Sequence, residues 1–382
     1  MSSNTASRSM PTQRTPLHAL HLELQARMGT FAGYTMPLQY PAGLLNEHRH
    51  TRSQGAASLF DVSHMGQISV SGANAAAALE RVLPIDVLSL PQDHQRYALL
   101  LAPHGGILDD LMVVRRAHDY LLIVNAARKT EDLQWLLQHI GQDCDVQMYA
   151  QQALLALQGP GAAAVLARLA PACTQLRFMQ GMALQFQGAA VYATRSGYTG
   201  EDGFELSIHC SHAPALARWL LQQPEVQPAG LGARNSLRLE AGLCLYGCDM
   251  QSIHTPASAR LQWSISKARR NGGEREAGFI GAHAVLPEIS GGQAVSMVRV
   301  GLQALERVPV RDGTALHLPQ STAIGTVTSG LLSPTLNTPI AMAYVPPAHS
   351  AHGTLLHAMV RGRAVPMEVT HMPFVATRYC KS

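Results

Sequence analysis

Apolar positions along the first two-thirds of the chain alternate between helical and extended spacing. Leu17 to Met28 carries apolar residues at helical intervals, and Leu44 to Ser53 reads as a more polar helix. Phe31 to Leu38, rich in Gly, Pro and aromatics, reads as a loop between them, and Gln67 to Val70 as an alternating strand. Strands are predicted near Tyr97 to Leu101, Leu111 to Arg115, Tyr120 to Asn125, Met182 to Thr194 and Phe204 to Ile208. Helices are predicted over Lys129 to Ile140, Ala213 to Leu221 and Gly232 to Leu243. Beyond about residue 290 the pattern changes to short alternating strands: Val295 to Leu302, Gly325 to Ser329, Ile340 to Val345 and Ala364 to Val369. Gly, Pro and Asp turns separate them, which predicts a small all-β domain.

An internal repeat organises the first part. Ile68 to Pro84 is a strand, a Gly turn and an Ala-rich helix ended by Pro, and Leu155 to Pro171 reads the same way. At a fixed offset of 87, Gly72/Gly159, Ala75/Ala162, Leu79/Leu166, Arg81/Arg168 and Pro84/Pro171 are identical. Because the flanking Gly and Pro keep register, the pattern predicts two related α+β units, each a helix layer on a sheet. The stretch KARRNGGERE, Lys267 to Glu276, is charged, centred on two glycines and reads as a linker. The expected division is therefore a disordered N-terminus over 1–14, a body over 15–275 and a C-terminal β domain over 290–382.

Length and charge narrow the function. A chain of 382 residues is too long for one ordinary domain. With 29 basic and 25 acidic residues the net charge is +4, and no dense basic tract marks a nucleic-acid footprint. No apolar run approaches the ~20 residues of a membrane span. The first 22 residues lack Asp and Glu and include Arg8 and Arg14, a faint likeness to an organelle transit segment. Pro11 and Pro16 break it, so a disordered N-terminus is preferred. None of the six cysteines forms a CxxC pair, and no His pair near Cys244 and Cys248 has zinc spacing, so no metal is expected. Reduced thiols give a cytoplasmic protein as the expectation.

Three stretches could carry chemistry. In His104-Gly105-Gly106-Ile107-Leu108-Asp109-Asp110-Leu111-Met112-Val113-Val114 a glycine turn leads into an apolar strand that holds two carboxylates. Strand alternation puts Leu108, Asp110 and Met112 on one face and Asp109, Leu111 and Val113 on the other, so at most one Asp faces a given cavity. By itself the stretch favours a turn Asp and a strand-edge Asp over a catalytic acid at a pocket mouth. Ser196-Gly197-Tyr198-Thr199-Gly200-Glu201-Asp202-Gly203-Phe204-Glu205 is a bent loop with three acids. An acidic hairpin explains the turn. It does not explain Glu205, which falls inside the next strand, where a carboxylate could accept paired hydrogen bonds from an amino-pyrimidine ring. In Gly230-Leu231-Gly232-Ala233-Arg234 a cation falls in the first turn of a helix, against the dipole, which suits an anion site about as well as a solvent-facing arginine. No GxSxG, HExxH or P-loop occurs. The neighbours Asp61, Ser63 and His64 are too close in sequence for a hydrolytic triad and read as a self-capped loop.

These blocks, with FAGYTMPLQY, LFDVSHMGQ, IVNAA, LQGP, GLGARNSLRLEAGLCLYG, GTVTSGLLSPTL and MPFVATRY, follow one another in an order that resembles the T-protein (aminomethyltransferase) family of the glycine cleavage system, from Thr15 to Tyr379. Tyr34 stands where the family usually has Trp, and Asn235 where it usually has Asp. The resemblance implies two interleaved α+β units around a folate channel and a C-terminal β-barrel. It implies transfer of an aminomethyl group from the lipoyl arm of the H-protein to tetrahydrofolate, with no metal, no nucleic acid, no membrane, and a monomer that forms transient complexes. Carried over by motif position, Asp110 is the catalytic acid, and Glu205 and Tyr198 hold the pterin. Met65, Tyr97 and Asn125 line the folate cavity, Arg234 binds the folate's glutamate end or rim, and Tyr379 lies beside the channel with Arg378. Asp109 is left to fix the turn. A folate-dependent demethylase of a methylated small molecule shares the fold and pocket and is the nearest alternative. A folate-binding accessory protein without transferase activity is the other.

Overall fold

The computed structural model describes residues 12–318 and 322–381. It begins with a small sheet of β1 (Gln13–Arg14), β2 (Arg27–Phe31) and β3 (Tyr34–Gln39), with α1 (His18–Glu23) between the first two strands. Three expectations are corrected here. The disordered N-terminus over 1–14 falls mostly outside the described residues, but Gln13 and Arg14 pair in parallel with Tyr34 and Thr35. The helix predicted from Leu17 to Met28 ends at Glu23, because Gln25 adopts φ +57 and turns the chain into β2. The predicted loop Phe31 to Leu38 is a hairpin: Ala32 (φ +48) and Gly33 (φ +79) supply the two positive φ values that a tight two-residue turn between twisted strands requires.

After α2 (Leu44–Arg52) and β4 (Ala57–Asp61), the two repeat units follow. The first comprises β5 (Gly66–Ser71), α3 (Ala75–Val82), β6 (His94–Leu101), β7 (Ile107–Arg115), β8 (Tyr120–Val124), α4 (Lys129–Ile140) and β9 (Asp145–Met148). The second comprises β10 (Gln152–Gln158), α5 (Ala162–Ala167), β11 (Gly181–Phe186), β12 (Ala189–Thr194), β13 (Gly203–His209), α6 (Ala213–Leu221) and β14 (Val226–Pro228). Their sheets have the orders β6-β7-β8-β5-β9 and β11-β12-β13-β10-β4-β14. The common core β6-β7-β8-β5 corresponds strand for strand to β11-β12-β13-β10. Interleaving enters through β4, which precedes the first unit in sequence but lies in the second sheet.

The identities at offset 87 have structural counterparts. Arg81 and Arg168 each pair with an acid just beyond the second helix of their unit, Asp143 and Glu225. Gly72 and Gly159 both adopt positive φ, +116 and +134, where residues with a Cβ are strained. Their surroundings differ. A Cβ on Gly72 would meet only Cys144 at 3.6 Å, whereas on Gly159 it would strike the Ala56 carbonyl at 2.6 Å and that of Thr51 at 2.8 Å. Gly72→Ala is expected to cost about 1–3 kcal/mol of backbone strain. Gly159→Ala is expected to cost about 1–3 kcal/mol more, because backbone atoms must move to admit the methyl group. Urea unfolding of the two variants checks this, and equal losses would refute it.

Each unit covers one sheet face with helices. Ala78, Leu79, Leu136 and Ile140 pack on Val70, Leu111, Val113 and Leu122 in the first, and Val165, Leu216 and Leu220 on Leu155, Phe204 and Leu206 in the second. The other faces pack against each other through Phe60, Val62, Leu121, Ile123, Leu154 and Ala156. Ser207 Oγ donates to Gln67 Oε1 at 2.6 Å, joining the two sheets across this interface.

After α7 (Leu231–Glu240) the chain returns to the first unit. The segment expected to be a linker is strapped down instead. Arg269, 4% exposed, pairs with Glu80 at 2.7 Å, and Arg275 bridges Glu80 and Asp86. These two arginines are paired inward, while Lys267, Glu274 and Glu276 are exposed. Helix α8 (Ala282–Ile289) leads to six strands that close into a barrel, as the change of texture predicts: β15 (Val298–Ala304), β16 (Ala315–His317), β17 (Ala323–Leu332), β18 (Pro339–Val345), β19 (Leu355–Val360) and β20 (Arg363–Thr370). Leu239 of α7 packs on Ile340 and Met342 of the barrel.

Candidate active site

The turn before β7 owes its shape to its glycines. Gly105 has φ +84, and a Cβ on Gly106 would lie 1.8 Å from the Ser252 carbonyl oxygen, so only glycine fits against the 252–254 segment. Beyond the turn, the predicted alternation holds for five residues. Asp109, Leu111 and Val113 are buried on the helix side, while Asp110 and Met112 are half-buried on the inner face. Leu108 departs from it. A register shift opposite Leu100 and Leu101 leaves Leu108 unpaired, and its side chain joins the helix-side core.

Asp110 is held by two of the residues expected to line the folate cavity. Asn125 Nδ2 donates to Oδ1 at 2.8 Å, and the Tyr97 hydroxyl donates to Oδ2 at 3.1 Å. Burial, the largest cause, pushes the Asp110 carboxyl up to about 7, and the two donors only partly offset this. Tyr97 stacks on Trp263 with centroids 5.2 Å apart. Trp263 has no predicted role: Leu261, Trp263 and Ile265 alternate with polar residues as in a strand, but the segment folds as a short 3-10 turn over Gln262–Ser264 that leaves Trp263 exposed.

Asp109 is corrected. It does not fix the turn. It is fully buried, accepts Asn125 Nδ2 at 2.8 Å and the Asn125 backbone N–H at 3.1 Å, and faces Asp132. Burial and Asp132 push it up to about 9. Asp132 itself went unnoticed in the sequence. The signal was present: Asp132, Leu136 and Ile140 are spaced by four on the predicted helix, and all three are buried, so an acid occupies an apolar stripe.

The second cluster comes from the other unit and α7. Glu205 on β13 lies in register with Ala156, which faces the sheet–sheet interface, so Glu205 faces it too. Ser196 Oγ donates to Glu205 Oε2 at 3.1 Å; burial raises the carboxyl while Arg234 opposes the rise. The Arg234 guanidinium lies 4.8 Å above the Tyr198 ring, and the Tyr198 hydroxyl donates to the Cys244 carbonyl. Arg234 Nη1 is buried without a hydrogen-bond acceptor among the described residues, a donor left for something that enters. Arg234 is expected at the glutamate end or rim of a folate and Glu205 at the pterin. Because α7 packs on the inner face, the two side chains lie close enough for each to shift the other's pKa. Met65 lies in the inner core near Met112 and Tyr192.

The other acids of the 196–205 loop are committed to structure. Glu201 pairs with Arg52 at 2.6 Å and Arg378 at 2.7 Å, and Asp202 pairs with Arg195. Tyr379 joins neither cluster directly. Its ring stacks on Phe178 at 4.0 Å, and its neighbour Arg378 donates from its backbone N–H to the Gly200 carbonyl, so the C-terminal segment buttresses the loop that carries Tyr198. The side chain at 235 serves Arg238, not Arg234: Asn235 Oδ1 accepts Arg238 Nε at 2.9 Å.

A half-buried acid raised toward neutrality, set between two sheets with an arginine–carboxylate–tyrosine cluster and backed by a closed barrel, fits a group-transfer enzyme. Residues 17–269 match the GCVT N-terminal domain and residues 298–376 the glycine cleavage T-protein C-terminal barrel domain. The chain belongs to the glycine cleavage T-protein family, the aminomethyltransferases. It is 40% identical to the human mitochondrial aminomethyltransferase over 96% of this chain and 91% of that protein. It is 42% identical to the chicken mitochondrial enzyme over 96% of this chain and 93% of that one. The crystal structure of the glycine cleavage system aminomethyltransferase T from Bartonella henselae superposes with a TM-score of 0.91 at 43% identity, covering 97% of this chain and 99% of that one. The cytoplasmic expectation is corrected by these comparisons: the relatives from human, chicken and Schizosaccharomyces pombe are mitochondrial proteins.

Proposed function

We propose that the protein transfers the one-carbon unit of S-aminomethyl-dihydrolipoyl H-protein to tetrahydrofolate, giving 5,10-methylenetetrahydrofolate, ammonia and dihydrolipoyl H-protein, and that it acts as a monomer meeting H-protein transiently. The observation that carries this reading is the Asp110 carboxyl, held by Tyr97 and Asn125 on the inner face of the first sheet, toward the interface that Glu205 faces from the second. Loss of ammonia from the S-aminomethyl group leaves a cationic carbon, which the Asp110 carboxylate stabilises at short range in a poorly solvated site. The attacking folate nitrogen loses a proton, and a carboxyl near neutrality is suited to relay it. Glu205 accepts paired hydrogen bonds from the amino-pyrimidine edge, with Ser196 fixing its rotamer. The free Nη1 of Arg234 donates beside it, and Tyr198 supplies a ring face. Met65, Tyr97 and Asn125 line the folate cavity, and Tyr379 braces its wall.

Ammonia release measured with H-protein and tetrahydrofolate together, then with each omitted, tests the assignment. Release that needs both supports it. Turnover of a methylated small molecule without the lipoyl substrate would replace it with a demethylase. Glu205→Ala is expected to raise the dissociation constant for tetrahydrofolate about 10–100-fold, the value of a lost charged hydrogen-bond pair. An unchanged constant by titration calorimetry would remove Glu205 from the pterin site.

A further inference from the structure

Behind Asp110 lies a chain of acids that the proposed reaction does not use. Asp132, in the first turn of α4, is 1% exposed, and neither of its carboxylate oxygens has a hydrogen-bond donor among the described residues. A buried anion in that condition is costly. The group that faces it is the carboxyl of Asp109, 0% exposed, which has no hydrogen to offer unless it is protonated. Asp109 in turn accepts both donors of Asn125 that point its way, and the same Asn125 amide reaches Asp110 Oδ1 at 2.8 Å. One amide group thus touches two adjacent carboxyls. If both were ionised, they would repel across it and Asp132 would remain unpaired.

A single proton resolves both defects. We propose that Asp109 is protonated and donates its hydrogen to an anionic Asp132 at the N-terminal end of α4, and that this pair, acting through Asn125, keeps Asp110 the one ionised carboxylate facing the substrate and fixes its orientation. Asp109 and Asp132 are then positioning residues for the reaction. The helix end favours the negative charge on Asp132. Arg128 supports that charge, while Glu131 and Asp110 oppose it. The other titratable groups facing the chain are Tyr246 beside Asp109 and Asp132, and Tyr97, Tyr198 and Cys244 toward Asp110. All four are pushed to higher pKa by burial and add no charge at physiological pH, and the three hydroxyl hydrogens are donated elsewhere: Tyr246 to the Ile107 carbonyl, Tyr97 to Asp110 and Tyr198 to the Cys244 carbonyl.

The proposal rests on the transferase reading, but its first test does not. At about pH 8 the infrared spectrum of the full-length protein should contain a protonated-carboxyl C=O band that Asp109→Asn removes and Asp110→Asn leaves in place. A band unaffected by Asp109→Asn overturns the proposal whether or not the enzyme is active. The second test is the pH profile of kcat/KM. Asp109→Asn replaces one neutral group by another and should leave the acid limb where it is in the wild type. Asp132→Asn offers Asp109 an amide donor in place of an anion, so Asp109 ionises, and the acid limb set by Asp110 should move up by about one pH unit. A limb that falls by about a unit or more in Asp109→Asn would mean that Asp109 is an anion in the wild type, and the assignment would fail. Should wild-type turnover itself be absent, the transferase reading fails while the infrared result still decides where the proton is.

Discussion

Asp110→Asn is expected to lower kcat by about 10³-fold, the scale on which a positioned acid–base or electrostatic group contributes. The dissociation constant for tetrahydrofolate should change little, because the groups proposed to hold the pterin are in the other unit. The substitution preserves shape. The introduced amide oxygen can still accept the Tyr97 hydroxyl, but the negative charge that opposes the developing cation is gone. Since burial pushes Asp110 up to about 7, the wild-type kcat/KM should fall as pH drops below about 7, where the carboxyl gains its proton. In the variant that limb should vanish. Steady-state ammonia release across pH 5–9 checks both, and full activity in the variant would remove Asp110 from the reaction. The contrast with Glu205→Ala is informative: one change should act on kcat with binding intact, the other on binding first.

How much of this was legible depended on whether the determining contact was local. Helices α4 and α6 coincide with their predicted bounds because their apolar stripes alone specify them. The repeat was legible because Gly72 and Gly159 answer to their own backbone angle, and that requirement survives without knowledge of the fold. The β2–β3 hairpin was not, because Ala32 at positive φ carries no signature that sets it apart from a loop alanine. Period-two alternation separated Asp109 from Asp110 correctly but misplaced Leu108, since a bulge is a property of the pairing partner rather than of the strand. KARRNGGERE has the composition of a linker, and only the fold brings Glu80 and Asp86 to Arg269 and Arg275. Arg234 and Glu205, far apart in sequence, could be nominated separately. That they stand together required α7 to be laid on the inner face. The same holds for Asn125, whose residue type is unremarkable until both acids are seen to share its amide.

Glu240→Gln is expected to cost about 3 kcal/mol of stability at neutral pH, and the loss should depend on pH in a specific direction. Glu240 ends α7 with its side chain fully buried. His48 and Arg52 of α2 reach one of its oxygens, and Thr335 and Ser333 of the barrel also donate to the carboxylate. Burial alone would raise its pKa, but the hydrogen bond and charge of His48, with Ser333 and Thr335, outweigh burial and hold it at about 2. A carboxyl lowered from the ordinary ~4.5 to about 2 contributes about 3 kcal/mol, at about 1.4 kcal/mol per pH unit. Because the folded value is depressed, that contribution is present above about pH 4.5 and is lost as pH falls through about 2. Urea unfolding should therefore show a gap between variant and wild type that is full at pH 7 and narrows between about pH 4.5 and about pH 2. A gap of constant size over that window would assign the loss to packing instead of charge. The site has a stake in the result. Arg234 occupies the first turn of the helix whose last residue is Glu240, so the carboxylate that ties α7 to α2 and to the barrel also anchors the helix that carries Arg234.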